Sequence, residues 1–357
     1  MKWRYRGRLA RIALGLVIVV ATTMIGTGGR AIGATSHKAS YKVAILSPGT
    51  SNDGSWGQDV WGGAVLARKY VTKVVFVDNL NTQDQFQQQG AAFAQKQYNL
   101  VIMANYSVPG ALFKLARQFP KTEFVELATA QPNLPKNAAT WNLLFQNGDF
   151  LAGALAGMIT KTNKLGVIGG FSFPALNSEM EGFILGARWV NPSISASESY
   201  LNSWTDVAAA RAAATAQIGS GADLIFSATD QATQGIYAAA AAHPNTYVIS
   251  QYFDTHSQAP KVALTSVLFN LHGAVAQIIR MGAAGTLKNK NYVYGSNHNV
   301  GVLSPFYNLK SVVPASVHAR LNKMEAMLKT GKLRCPFLGT TGQGKTYPLS
   351  KLPAPPK

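Results

Sequence analysis

Asp53 and Trp56 stand three residues apart and are the first residues along the chain with the chemistry to hold a ring-shaped polar ligand. A carboxylate accepts hydrogen bonds from a ring edge, and an indole stacks on its face. The loop 48–55 carries Asp53 and presents Trp56 at its end; after Pro48 it is built from Gly, Ser, Thr, Asn and Asp, types that tolerate unusual backbone angles. The plain alternative is that Asp53 caps the next helix and Trp56 packs beneath it. A second candidate, Gly339-Thr340-Thr341-Gly342-Gln343-Gly344-Lys345-Thr346, satisfies G-x-x-x-x-G-K-[ST] in full. A phosphate loop works by presenting free N–H groups at the start of a helix. Here Tyr347-Pro348 follows at once and Pro353, Pro355 and Pro356 come soon after, so a β-turn joining 334–338 to 346–349 is expected instead. The six histidines show neither i,i+4 nor Cys/His ligand spacing, and G-x-S-x-G does not occur. The expectation is a chain without metal, cofactor or catalysis.

The elements that must position such a loop follow from periodicity. Residues 43–46 form an apolar run that fits a buried parallel strand, and a helical pattern begins at Gln58, with Arg68 and Lys69 at its end. Further strands are expected at 74–77, 100–104, 124–127 and 140–145, with helices at 83–96 and 110–119. A second set repeats the alternation, with strands at 165–168, 196–200, 223–227 and 247–250 and helices at 149–159, 177–189, 206–219 and 231–242. The Ala- and Gly-rich helix 149–159 has a surface suited to close packing. The last third breaks the pattern: strand 262–267, helix 274–281, short strands 292–294 and 301–304, helix 314–330, then a hairpin-like segment and a mobile Pro-rich tail. This spacing is that of an α/β protein with two Rossmann-like lobes and parallel sheets. In such sheets ligands bind at the carboxyl ends of the strands.

Charge and export add a setting. Of the net charge of +18, six positive charges lie before Ala34, and the other cations are scattered without an arginine-rich helix. Nucleic acid is not an expected partner; a membrane surface with anionic headgroups is. A basic start, the apolar run 12–25 and small residues at Ala31, Gly33 and Ala34 read 1–34 as a signal segment, with 35–40 as a linker. Such a protein is exported, to the periplasm or the outer face of the cell membrane. It keeps an N-terminal tether if the segment is not cleaved. The single cysteine, Cys335, cannot form an internal disulfide.

The segments KVAILSPGTSNDGSWGQ, WNLLFQNGDFLAGALAGMI, GFILGARWVNPSI, YLNSWTDVAAARAAATAQIGSGADLIFSATD and KVALTSVLFN, in this order, resemble the basic membrane protein family of ABC-transporter solute-binding proteins. The resemblance covers about residues 41–340, and the ending GKLRCPFLGTTGQGK is similar to the family's closing hairpin. It implies a type I periplasmic-binding-protein fold, two α/β lobes joined by a three-stranded hinge. The lobes would comprise 41–146 with about 254–285, and 147–253 with about 286–340; 341–357 would be turn and tail. It further implies a monomer, a permease partner, and a purine nucleobase or nucleoside in the interlobe cleft.

On that implication the ligand residues are Asn52, Asp53, Trp56, Asn105 and Tyr106 from the first lobe, and Phe173, Trp204, Asp230, Gln251, Tyr252 and Asp254 from the second. Phe145 and Asn147 are second-tier candidates. Trp56 would stack on the ring, Trp204 or Phe173 would cover its other face, and Asp230 and Asp254 would accept from ring N–H or amine groups. Each has a plain alternative: Trp204 in the core, Asp230 as a helix cap, Asp254 in a turn. The family's first-loop pattern Asp-Asp-x-Ser-Phe-Asn-Gln is here Asn52-Asp53-Gly54-Ser55-Trp56-Gly57-Gln58, and its late lysine is replaced in Leu268-Phe269-Asn270. These departures favour a base over a nucleoside. Signalling reception, or a different solute such as a sugar, are the alternatives.

Overall fold

A computed structural model describes residues 40–105, 108–127 and 130–357; the expected signal segment and Tyr106 lie outside them. The chain alternates strand and helix: β1 (Lys42–Leu46), α1 (Trp56–Ala67), β2 (Lys73–Val77), α2 (Gln83–Gln95), β3 (Leu100–Met103), α3 (Pro109–Gln118), β4 (Glu123–Leu127) and β5 (Ala138–Leu143). Then come α4 (Phe145–Ile159), β6 (Lys164–Gly169), α5 (Pro174–Val190), β7 (Ser195–Tyr200), α6 (Val207–Gly219), β8 (Leu224–Ala228), α7 (Thr233–Ala241), β9 (Tyr247–Tyr252) and β10 (Ala263–Leu268). The last part holds α8 (Leu271–Ala283), β11 (Asn291–Tyr294), β12 (Val302–Leu303), α9 (Ala315–Thr330) and the one-turn α10 (Gln343–Thr346).

Two six-stranded sheets result, ordered β11-β5-β4-β3-β1-β2 and β12-β10-β9-β8-β6-β7. All pairings are parallel except that of β10 with β12. Most central strands read as continuous apolar runs because helices cover both faces of each sheet; β1 and β3 are buried throughout or nearly so, while the edge strand β7 is partly exposed. The chain passes between the sheets after β5, after β10 and after β11. The strand memberships shift the expected lobe boundaries: β10 pairs with β9 in the second sheet, and β11 pairs with β5 in the first. An apolar strand pattern shows that a strand is buried but not which sheet buries it.

The small-residue surface of α4 is used. It crosses α5 so closely that a Cβ on Gly153 would stand 1.8 Å from the Phe183 carbonyl oxygen, and one on Gly186 1.9 Å from that of Phe150. The two glycines face each other's helix in a reciprocal arrangement. Helix α4 also starts at Phe145 rather than Asp149, so Phe145 opens a helix instead of ending a strand.

The C-terminal region differs from expectation in two ways. There is no strand over 334–338, and the Gly-rich motif forms the single turn α10. Its N–H groups are taken: Gly342 and Gly344 donate to the two oxygens of Glu181, the latter at 2.6 Å. Lys345 pairs with Glu198 at 2.5 Å. A carboxylate of the chain itself occupies the place a phosphate would need. The Pro-rich tail is docked instead of mobile: the Trp189 indole N–H donates to the Pro353 carbonyl at 2.7 Å, and Arg320 and Lys323 donate to Pro356 and Lys357. An extended proline segment leaves its carbonyls free to accept such bonds.

Candidate functional site

A cavity of about 330 Å³ lies between the 52–55 loop of the first lobe and the ends of β8 and β9 in the second. It brings together five of the residues singled out from sequence: Asn52, Asp53, Asp230, Gln251 and Tyr252. Thr205, Val207, Thr233, Gln234 and Thr255 complete most of the wall.

Asp53 takes the plain alternative. Its carboxylate accepts the N–H groups of Ser55 (2.8 Å), Gly57 (2.9 Å) and Gln58 (3.0 Å), closing the loop onto the first turn of α1. Asp230 does not. Helix α7 starts three residues later at Thr233, without a side-chain cap. Asp230 itself sits at φ +55°, in the left-handed region, and opens a short 3-10 turn, Asp230–Ala232, that leads into α7. Its Oδ1 is buried and lacks a hydrogen bond of good geometry among the described residues. Burial pushes this carboxyl up to about 7; the neighbouring Ser55 hydroxyl and Gln231 N–H hold it down, while Asp53 raises it further. Ser55 Oγ likewise lacks a bond of good geometry, so the two groups face each other without being satisfied.

Hydroxyl clusters hold the loop ends in place. Ser227, Thr229 and Thr233 are mutually bonded at 2.9–3.1 Å, and Ser250, Thr255 and Ser266 at 2.8–3.0 Å, with the Tyr237 hydroxyl 2.6 Å from Thr255. Sequence reading missed this shell, although Ser and Thr at the ends of apolar strands were its visible trace.

Four aromatic rings stand beside the cavity. Trp56 is 7% exposed, its indole N–H donates to the Ala104 carbonyl at 3.0 Å, and it meets Phe145 and Tyr252 edge-on at 6.3 Å each. Phe145 stacks on Phe269 at 3.7 Å. Trp56 comes from the first lobe and Tyr252 from the second, so the cluster bridges them. Trp56 is therefore sealed among rings here, and Tyr252 is the ring in the cavity wall. Tyr252 has φ +80°, unusual for a bulky residue.

The remaining candidates lie elsewhere. Asp254 turns the chain, accepting from the His256 N–H (3.0 Å) and the Tyr307 hydroxyl. Asn147 is buried and accepts the Cys335 N–H at 2.9 Å, tying the C-terminal segment to α4. Trp204 packs on Phe171 and Phe173 at 5.3 and 6.2 Å, half-buried beyond the ends of β6 and β7. Asn105 follows β3 directly behind the Trp56 contact.

Behind the cavity, the Gln251 amide nitrogen donates to Asp149 of α4 and Glu179 of α5, both at 3.0 Å. All three are buried. Burial, then the neighbouring Glu179, raises Asp149; burial raises Glu179 to about 8. At the hinge after β10, Asp59 accepts the Leu271 N–H at 2.8 Å and pairs with His272 at 2.5 Å, a bond that raises the imidazole's pKa. Among the described residues no group of His, Cys, Asp and Glu could hold a metal ion.

These groups fix a direction for pH dependence. A carboxyl raised in the folded state keeps a proton that the unfolded chain has released, so stability falls as pH climbs from the unfolded to the folded pKa. Glu126, Glu181 and Asp230 at about 7 and Glu179 at about 8 all act this way. His272 adds to it: its raised pKa contributes stability below the ordinary imidazole range that is lost at higher pH. Calorimetry between pH 5 and pH 8 should show Tm falling by several degrees; a rising profile would contradict the buried carboxyls.

Two lobes of parallel α/β structure joined by three crossings, with a polar cavity between strand ends, define the type I periplasmic-binding-protein fold. Such a structure from Aeropyrum pernix K1, described as an ABC-transporter solute-binding protein, superimposes with a TM-score of 0.76 at 16% identity, covering 86% of this chain and 96% of that one. Residues 40–333 match the family described as ABC transporter substrate-binding protein PnrA-like, and the chain belongs to that family. Its members bind solutes and are not enzymes. A purine-binding protein from Brucella abortus is 26% identical over 328 residues, 91% of this chain and 89% of its own. A transcriptional activator from Bacillus subtilis is 25% identical over 321 residues, 89% of this chain and 98% of its own. Among the described residues no helix is long and apolar enough to cross a membrane.

Proposed function

We propose that the protein captures a purine-like solute, a free base in preference to a nucleoside, in the interlobe cavity and delivers it to the permease of an ABC transporter. The observation that carries this reading is Asp230: a carboxyl in the cavity wall with one buried, unsatisfied oxygen, on a residue held in the left-handed region. A purine offers ring N–H and exocyclic amine donors that would satisfy it, and Tyr252 supplies the adjoining ring. The name of the Brucella abortus relative supports the ligand class. A second reading, ligand sensing, is favoured by the Bacillus subtilis activator, almost all of whose length is matched.

The test is a thermal-shift screen with free bases, nucleosides and pentoses. A base at 100 times its Kd should add about 2.7 kcal/mol to stability. Tyr252→Ala should remove most of that shift. Stabilisation by a pentose or hexose with none by any purine would keep the solute-binding role and overturn the ligand.

A further inference from the structure

The first sheet has a feature that solute binding does not use. All six of its strands run parallel, so all begin at one edge of the lobe, opposite the cavity. Each begins at, or within four residues after, a lysine: Lys42, Lys73, Lys96, Lys121, Lys136 and Lys290. Five of these are exposed and Lys42 is half-buried. The acids of the lobe are at the other end: Asp53, Asp59, Asp78 and Asp84 lie in strand-to-helix loops or first helical turns, and Glu126 near the end of β4. Only Glu123 stands at the lysine edge among the described residues, where it accepts the Tyr41 hydroxyl at 2.8 Å.

Cations near helix C-termini are ordinary, but the second lobe lacks the pattern. Of its five parallel strands only β6 and β10 are so preceded, by Lys164 and Lys261, and Asp223 leads β8. The first-lobe edge also carries apolar surface. The last turn of α1 exposes Val65 (51%) and Leu66 (58%), and the next turn exposes Arg68, Lys69 and Tyr70, with Lys69 over the Tyr70 ring at 5.2 Å. Aliphatic side chains flanked by cations and a tyrosine suit the boundary between lipid headgroups and acyl chains. β1 starts from this edge, and the apolar run 12–25 lies shortly upstream in sequence.

We propose that the strand-start edge of the first lobe is a docking surface for an anionic lipid bilayer, with Val65, Leu66 and Tyr70 at the interface and the lysine row over the headgroups. The cavity opens at the opposite end of the strands and stays in water in this pose. This assignment is independent of the solute.

The test uses the full chain, labelled with a polarity-sensitive dye at Leu66→Cys or, as control, at Ser193→Cys before β7 in the second lobe. Cys335 is buried and does not compete for label. With phosphatidylcholine vesicles containing phosphatidylglycerol, the Leu66 probe should shift to the blue and the Ser193 probe should not; pure phosphatidylcholine should move neither. Neutralising Lys73, Lys121 and Lys136 to Gln should weaken vesicle partition roughly a hundredfold, and salt should do likewise. Equal responses at both positions would show the N-terminal segment alone at work and overturn the proposal. Retention on heparin with the Leu66 probe still in water would overturn it in favour of a soluble polyanion.

Discussion

Asp230→Asn should bind a purine base roughly ten- to a hundredfold more weakly than the wild type, the worth of about 1.5–3 kcal/mol for a hydrogen bond to a charged acceptor. The same substitution should raise Tm without ligand, because it removes a buried carboxyl whose oxygen is unsatisfied. A purely structural residue would lose stability when altered, so opposite signs separate the two roles. The pH dependence sharpens this. A ring N–H needs the ionised carboxylate, and with its pKa near 7 only about a tenth of the wild type is ionised at pH 6. Affinity should therefore tighten about tenfold between pH 6 and pH 8, with a proton released on binding, and the asparagine variant should be flat over that range. Titration calorimetry in two buffers reads both; unchanged affinity in the variant would remove Asp230 from the site.

Gly153→Ala and Gly186→Ala should each destabilise the protein by roughly 3–5 kcal/mol, at the upper end of single substitutions. An added Cβ would lie under 2 Å from a carbonyl oxygen of the facing helix, and backbone cannot yield as a long side chain can. The helices would have to separate, loosening the buried Asp149–Gln251–Glu179 network that α4 and α5 hold from two sides. Urea denaturation measures the loss, and a cost below about 1 kcal/mol would mean that the crossing relaxes readily.

Much of the fold was legible because buried parallel strands announce themselves as short apolar runs separated by helical spacing, as 43–46, 100–104 and 223–227 do. Sheet membership was not: β10 stays with its sequence neighbour β9, whereas β11 returns to β5, far back in the chain, and local composition carries no trace of either partner. The cavity was half legible. Of the residues named from loops at strand ends, Asn52, Asp53, Asp230, Gln251 and Tyr252 line one cavity. The roles were less so. Asp53 is occupied by three backbone N–H groups within five residues, the plain alternative stated for it. Trp56 is drawn into a ring cluster with Phe145, Tyr252 and Phe269, which come from the crossings after β5 and β10 and the end of β9. Glu179 sits on a helix as an unremarkable acid until Gln251, 72 positions later, is brought to it.

The ring cluster bridging the lobes bears on kinetics. Part of the free energy of hinge closure comes from the protein's own side chains, whatever solute occupies the cavity. A solute then supplies only the remainder of the bias toward the closed form, and its measured affinity reflects that division. On the proposed reading, exchange of solute waits for Trp56 and Tyr252 to part, so release is timed by an internal opening step, and at high concentration the observed rate of capture should level off at the rate of that opening.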